Sequence, residues 1–325
     1  MKDPITFEVT KNALISCARE MSQALRRTAF SPNIKERRDC SCAVFDAEGR
    51  LVAQSKDIPV HLGAMPMSVR SCIAELDEEL VEGTMALLND PYMGGSHLPD
   101  LTLIAPVFIE GRRIAFVANR AHHADVGGIS PGSMPGLSTE IHEEGVIISP
   151  RIVVQNGQLR LNTVADLLEA TRTPEERVGD LSAQIAANTV GIRRLIEVMT
   201  GHGMGTILDT FTDLREYSAQ QMEERIAPLE GMEAEFTDFM DSDGAGNWTI
   251  PIHVHLRFTR GRAYVDFTKT SRQVLGNINC PYASTLSAVY YVFATMFGNG
   301  IPVNEGCWRI IEVRAPQGSL VNPEY

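Results

Sequence analysis

NDPYMGGSHLPDLTLIAPVFIEGRRIAFVANRAHHADVGG, residues 89 to 128, is the stretch on which the reading of this fold turns. Two apolar runs, at about 101 to 108 and 113 to 119, flank Glu110-Gly111, a turn signal between strands. Paired as a hairpin, they bring the segment carrying His97 and Asp100 to the end from which His122, His123 and Asp125 leave. Gly94 and Gly95 either let the backbone approach a metal or substrate closely or serve as ordinary turn glycines. Imidazole nitrogens and carboxylate oxygens are ligands for zinc, manganese or ferrous iron, and hydrolytic chemistry keeps one coordination position open. One mononuclear metal centre is therefore the working expectation.

Upstream, Leu14, Ala18, Met21 and Leu25 recur at helical intervals and predict a helix over 7–29, closed by Ser31-Pro32. The charged run IKERRD leads into short strands at 42–45 and 51–53 around Ala47-Glu48-Gly49, which leaves Asp39 just before a strand. His61, in PVHLGAMP, reads as a loop or core histidine satisfied by backbone groups, or as one facing substrate. A helix over 67–80 and a strand over 84–88 follow, and Cys72 on that helix reads as packing.

Downstream, GGISPGSMPGLSTEIHEEG is too rich in glycine and proline for a regular element and reads as a functional loop. His142, Glu143 and Glu144 at its end are either proton-transfer groups or extra ligands, or else an exposed acidic loop end. Strands are expected at 146–148 and 151–154, then helices over 162–200, broken near Thr173-Pro174, and over 204–227. GHGMGT at 201–206 follows a helix and lacks the spacing of a nucleotide loop, and no Walker sequence occurs elsewhere. From 233 the pattern turns to strands. Ile250, Ile252, Val254, Leu256 and Phe258 alternate with His253 and His255, a two-histidine patch or simply a solvated face. DSDGAGN at 241–247 lacks the glycine and glutamate positions of a calcium loop and reads as a tight acidic turn. A helix over 282–297 and a strand over 308–314 complete the series.

The 325 residues carry a formal charge of −12, 44% apolar and 22% charged residues, a globular balance with no basic stripe for nucleic acid. Six cysteines form no CxxC pair, and no apolar run suggests a leader or a membrane span. A reduced, cytoplasmic location is expected. The fold class is α+β: mixed sheets and hairpins packed with helices. It divides into a metal-site region over 1–160, a helical region over 161–232, and a β-rich region with a helix over 233–325 packed on the first. The abrupt stop after APQGSLVNPEY suggests a truncated chain, completed by further sequence or another subunit.

Four segments carry a resemblance: RRDCSCAVFD at 37–46, NDPYMGGSHLPD at 89–100, AHHADVGGISPGSMPG at 121–136 and DFTKTSRQVLGNIN at 266–279. In that order they resemble the hydantoinase B/oxoprolinase family, which includes B-type subunits of ATP-dependent hydantoinases and relatives in acetone carboxylase. The resemblance implies one divalent metal (zinc, manganese or iron) at His97, Asp100 and His122, with Asp39 completing the ligands. His123 and Asp125 then stand as candidates to relay protons or orient a ligand. It also implies an A-type subunit that binds ATP and phosphorylates a small cyclic amide, a hetero-oligomer in which this chain opens the hydantoin, oxoproline or lactam ring. His61, Tyr92, the 127–144 loop, Asp266, Lys269, Gln273 and Asn279 are candidates for the pocket or a partner contact; Lys269 stands where the family motif commonly has glycine. The alternatives are an acetone carboxylase-like subunit and a non-catalytic assembly subunit.

Overall fold

The computed structural model describes residues 3–55 and 58–325. Helix α1 (Pro4–Thr28) starts at Asp3, whose carboxylate accepts from the backbone N–H of Thr6 at 2.9 Å, and buries Leu14, Ala18, Met21 and Leu25 on one stripe. Each of those larger side chains contributes about 1.5–3 kcal/mol by leaving water. After the short α2 (Pro32–Lys35) come β1 (Cys40–Asp46), β2 (Leu51–Gln54) and α3 (His61–Leu76). The third helix begins six residues before the expected start and carries Pro66 inside it. Strands β3 (Met85–Leu88), β4 (Asp100–Ile109), β5 (Arg112–His122), β6 (Arg151–Gln155) and β7 (Gln158–Leu159) complete one sheet, ordered β2-β1-β5-β4-β3-β6-β7 and antiparallel throughout.

Alternation along the strands decides what each face holds. Cys42, Val44, Leu101, Leu103 and Val117 join the core under α1, while Ala43, Phe45, Ile104, Phe116 and Ala118 join a second core with Met65, Val69 and Cys72 of α3. The first core continues into α4 (Ala165–Ala170), α5 (Pro174–His202) and α6 (Met204–Ile226) through Leu167, Leu181, Ala187, Leu195, Ile207 and Phe211. Residues 146–148 are not a strand. Ile148 instead exchanges hydrogen bonds with Asn89, whose side-chain oxygen accepts from the Ile148 N–H at 2.6 Å.

A second, four-stranded sheet is ordered β11-β10-β9-β8, from β8 (Glu233–Ser242), β9 (Trp248–Thr259), β10 (Arg262–Asp266) and β11 (Ile311–Arg314). Only β10 and β11 run parallel. Helices α7 (Tyr282–Phe297) and α8 (Glu305–Trp308) pack with it, and Met222 and Ile226 of α6 extend into this third core. The expected strand over 308–314 is thus a turn of helix before a shorter strand. His253 is buried rather than solvated: its cross-strand neighbour on β8 is Thr237, whose hydroxyl shares a 2.8 Å hydrogen bond with His253 Nδ1.

Candidate metal centre and its clefts

Strand register builds the site. On the β4/β5 hairpin Asp100 stands directly opposite His122, and on the other side of β5 the pairing of Cys40 with Ala121 sets Asp39 against His122, where the His122 N–H reaches the Asp39 carbonyl at 3.0 Å. Asp39, just before β1, His122 and Asp100 therefore stand together at one end of three adjacent strands. His97 joins them through a turn in which the Asp100 N–H donates to the His97 carbonyl at 3.0 Å. That turn is reached through Gly94, at φ 98°, and Gly95, where a Cβ would collide with the Ser68 N–H and the Asn89 carbonyl respectively. Gly94 is required by packing against α3, Gly95 by the close return of the loop on Asn89 and Asp90.

Three donor atoms face one another: His97 Nε2 lies 3.1 Å from His122 Nδ1 and 3.1 Å from Asp100 Oδ1, and His122 Nδ1 lies 3.3 Å from the same oxygen. Asp39 Oδ2 is 3.9 Å from His122 Nδ1. Donors bonded at about 2.1 Å to one ion stand about 3.0 Å apart at right angles and about 3.4 Å apart tetrahedrally. The triangle falls inside that range. Asp100 Oδ1 is buried and makes no hydrogen bond, although both imidazoles are within reach. A carboxylate oxygen left unbonded between two ring nitrogens fits the donor set of a divalent cation. Asp39, His61 and Asp100 form an overlapping group of possible ligands.

The supports are equally specific. Asp100 Oδ2 accepts from the Ser96 hydroxyl and lies 3.4 Å from His61 Nε2, while the Ser41 hydroxyl binds His61 Nδ1 at 2.8 Å. His61 is thus a core histidine satisfied by side chains, not by backbone. Arg120, two residues before His122 on the same face, is fully buried. It donates to Thr102 (2.7 Å), Ser68 (2.8 Å), the Gly94 carbonyl (3.0 Å) and Ser96 (3.3 Å). No spacing rule pointed to Ser96 or Arg120; the signal was the even offset of Arg120 from His122.

Electrostatics follow from this packing. Burial opposes ionisation of Asp100, yet His97 and the other two imidazoles crowded against it hold its carboxyl well below the usual range. Burial lowers the Arg120 guanidinium to about 10, with Asp100 opposing. His61 is pushed down by burial against the pull of Asp100.

His123 and Asp125 do not join the cluster. His123 turns toward α5, where Nε2 meets Gln184 Oε1 at 2.9 Å, and burial followed by the charge of Arg177 lowers it to about 4. Asp125 pins the glycine loop, accepting from the N–H groups of Gly127 (3.1 Å) and Gly132 (3.1 Å) and from Arg172 Nη1 (2.9 Å). A cleft of about 700 Å³ reaches His97 past Tyr92, Glu144, Gln273 and Asn279, and another of about 460 Å³ opens over Asp39, Asp100 and His122 beside Arg37. Asp266 and Lys269 lie outside both, Asp266 capping Thr268 and Lys269 pairing with Glu235 at 3.2 Å.

An α+β chain with a covered antiparallel sheet and an N/O donor cluster at its end is the class that fold and site define. The chain belongs to the hydantoinase B/oxoprolinase family, whose model matches residues 3–325. It is 38% identical over 353 residues to 5-oxoprolinase 1 of Arabidopsis thaliana, covering 99% of this chain and 27% of that protein. It is 33% identical over 341 residues to a putative D-/L-hydantoinase B-type subunit of a Pseudomonas species, covering 99% and 57% respectively. Among solved structures, the ATP-dependent caprolactamase of Pseudomonas jessenii superposes with a TM-score of 0.90 at 30% identity over 99% of this chain and 56% of that one. Acetone carboxylase shares the fold, with a TM-score of 0.92 at 21% identity over 99% and 45%. The chain thus spans little more than half, or less, of these relatives. Among the described residues no helix is long and apolar enough to cross a membrane.

Proposed function

We propose that this chain is the hydrolytic part of an ATP-dependent cyclic amidase that opens a hydantoin, oxoproline or related lactam ring. The triangle of donor atoms from His97, Asp100 and His122 carries the reading. The named activities of the 5-oxoprolinase and caprolactamase relatives support the substrate class. Asp39 would be the fourth ligand, a role supported by the β1–β5 register and by its 3.9 Å distance from His122 Nδ1.

A zinc, manganese or ferrous ion bound there supplies a Lewis acid that polarises an amide carbonyl and acidifies water. The chain's own residues set the ground for it. Ser96 and His61 hold one oxygen of Asp100 so that the other faces the histidines, and Arg120 fixes Ser96. His123 and Asp125 act as positioning residues: the first anchors the end of β5 to α5, the second shapes the loop that walls the cleft. ATP is bound by an A-type partner, which activates the amide oxygen by phosphorylation; the naming of the Pseudomonas relative as one subunit of a hydantoinase supports this division.

Elemental analysis of the purified protein is expected to find one divalent metal per chain. H97A and H122A are expected to lose it with the fold retained; metal-free wild-type protein would refute the site. Reconstitution with the A-type partner, ATP and a panel of hydantoins, lactams and ketones then decides the chemistry. Ring opening coupled to ATP is expected, whereas labelled bicarbonate entering product would make the enzyme a carboxylase.

A further inference from the structure

We infer that Glu144 is the proton carrier of the ring-opening step, and that it decides whether ATP is spent on opening the ring or wasted. The inference rests on the amidase reading above and concerns a group that reading does not use. The cleft that reaches His97 is lined by three carboxylates, Glu140, Glu144 and Glu324. Glu140 and Glu324 are exposed; Glu144 is half-buried.

Its neighbours in sequence are committed elsewhere. His142 Nε2 is bound to the Tyr325 hydroxyl at 2.7 Å, and Glu143 caps the turn by accepting from the N–H groups of Thr139 (2.7 Å) and Glu140 (3.2 Å). Glu144 alone of the three lines the cleft. Its backbone is locked: the Ile129 N–H donates to the Glu143 carbonyl at 2.7 Å and the Val146 N–H to the Val126 carbonyl at 3.0 Å. Gly128, at φ 82°, lies so close that a Cβ would strike the Glu143 carbonyl oxygen and the Glu144 carbonyl carbon. The Ser138 hydroxyl fixes one carboxylate oxygen at 3.0 Å. Half-buried in the cleft and held by the Ser138 hydroxyl, the carboxyl stands where a group that both takes and returns a proton is needed.

The chemistry gives such a group a decisive place. Phosphorylation of the amide oxygen leaves a cyclic O-phosphoimidate. When water adds to its carbon, a C–O bond forms, the C=N electron pair moves to nitrogen, and Glu144 carries the released proton to that nitrogen. The tetrahedral adduct has two exits. Loss of phosphate regenerates the intact amide, and ATP has been hydrolysed for nothing. Breaking the C–N bond requires a second proton on nitrogen, which Glu144 relays from the adduct hydroxyl. The products are an amine and an acyl phosphate, which water converts to carboxylate and inorganic phosphate. Both protons of the first water end on the nitrogen.

The test uses the reconstituted complex with ATP and the ring substrate it turns over best, and compares wild type, E144Q and E144D for rings opened and ATP hydrolysed. E144Q is expected to lose ring opening about 100-fold or more with KM within about threefold. The ATP consumed per ring opened is expected to rise at least tenfold, because the addition step is common to both exits from the adduct and, of the two, only the C–N exit needs the carboxyl. E144D is expected to recover part of both, and all three proteins to bind the same amount of metal and melt within a few degrees of one another. Independently of turnover, the [5-13C]-glutamate carboxyl resonance that vanishes in E144Q is expected to shift when hydantoin is added to wild type. An E144Q protein that opens rings at the wild-type rate, that loses ring opening with an unchanged ATP ratio, or whose counterpart resonance ignores hydantoin overturns the inference. A wild-type complex that opens no ring overturns the amidase reading itself, and the inference with it.

Discussion

Single side chains decide how well the cluster is held. Ser96 bridges Arg120 to Asp100, so S96A leaves Asp100 Oδ2 with only the longer His61 contact and takes one of four acceptors from the guanidinium. Loss of such support commonly weakens metal binding about 10- to 100-fold; isothermal titration of the metal-stripped protein with zinc is expected to show this for S96A. R120K is expected to do the same, since an ammonium cannot span Thr102, Ser68, Gly94 and Ser96 at once. Asp125 supplies a pH dependence. Burial opposes its ionisation, but the backbone N–H groups of Arg172, Gly127 and Gly132 depress its pKa. A depressed carboxyl stabilises the fold fully above the unfolded value and loses that contribution as pH falls through the folded one. Urea midpoints of wild type and D125N are therefore expected to differ most above about pH 4 and to converge below it. At this scale the sequence was partly legible. His97, Asp100 and His122 could be linked through a hairpin, but Asp39 entered only by family resemblance, because its place depends on how β1 registers on β5. His123 fell outside the cluster for the reason that sent His122 into it: neighbouring residues at a strand's end point to opposite faces.

Elements succeed or fail by what their outer face meets. The long helices were readable because each has one apolar stripe, and the β4/β5 hairpin because its strands alternate around a turn. Strand β8 was legible only as the start of the β-rich stretch at 233: all but its last residue are exposed, so no periodicity marks its own course. The apolar run Val146, Ile147 and Ile148 misled in the opposite sense, being packed against the first core or buried in it while serving Asn89 rather than a ladder. The contact between α1 and α5 is close enough to test. Gly191 faces Met21, whose sulfur would lie 2.5 Å from an added Cβ. G191A is expected to cost less than about 2 kcal/mol in chemical denaturation, overpacking against Met21 being partly offset by the helix propensity alanine gains over glycine.

The described residues form three cores, and α6 belongs to two of them: Ile207, Phe211 and Leu214 face the first, Met222 and Ile226 the third. A continuous helix shared in this way ties the seven-stranded sheet to the four-stranded one. Both tryptophans, Trp248 and Trp308, lie with the smaller sheet, whereas most helix lies elsewhere. Fluorescence and far-ultraviolet circular dichroism are therefore expected to report a single coincident urea transition; two separated midpoints would show that α6 does not transmit the coupling. The regions drawn at 1–160, 161–232 and 233–325 divide the sequence where its pattern changes, and α6 crosses the packing between them.

The open flank of the smaller sheet has a practical consequence. Among the described residues β8 has a partner only in β9, and its Phe236 and Phe239 stand exposed. Such a border templates strand addition by other copies, so concentrated solutions are expected to turn turbid and to bind thioflavin on prolonged storage. The F239K substitution would act as a gatekeeper there and keep the solution clear.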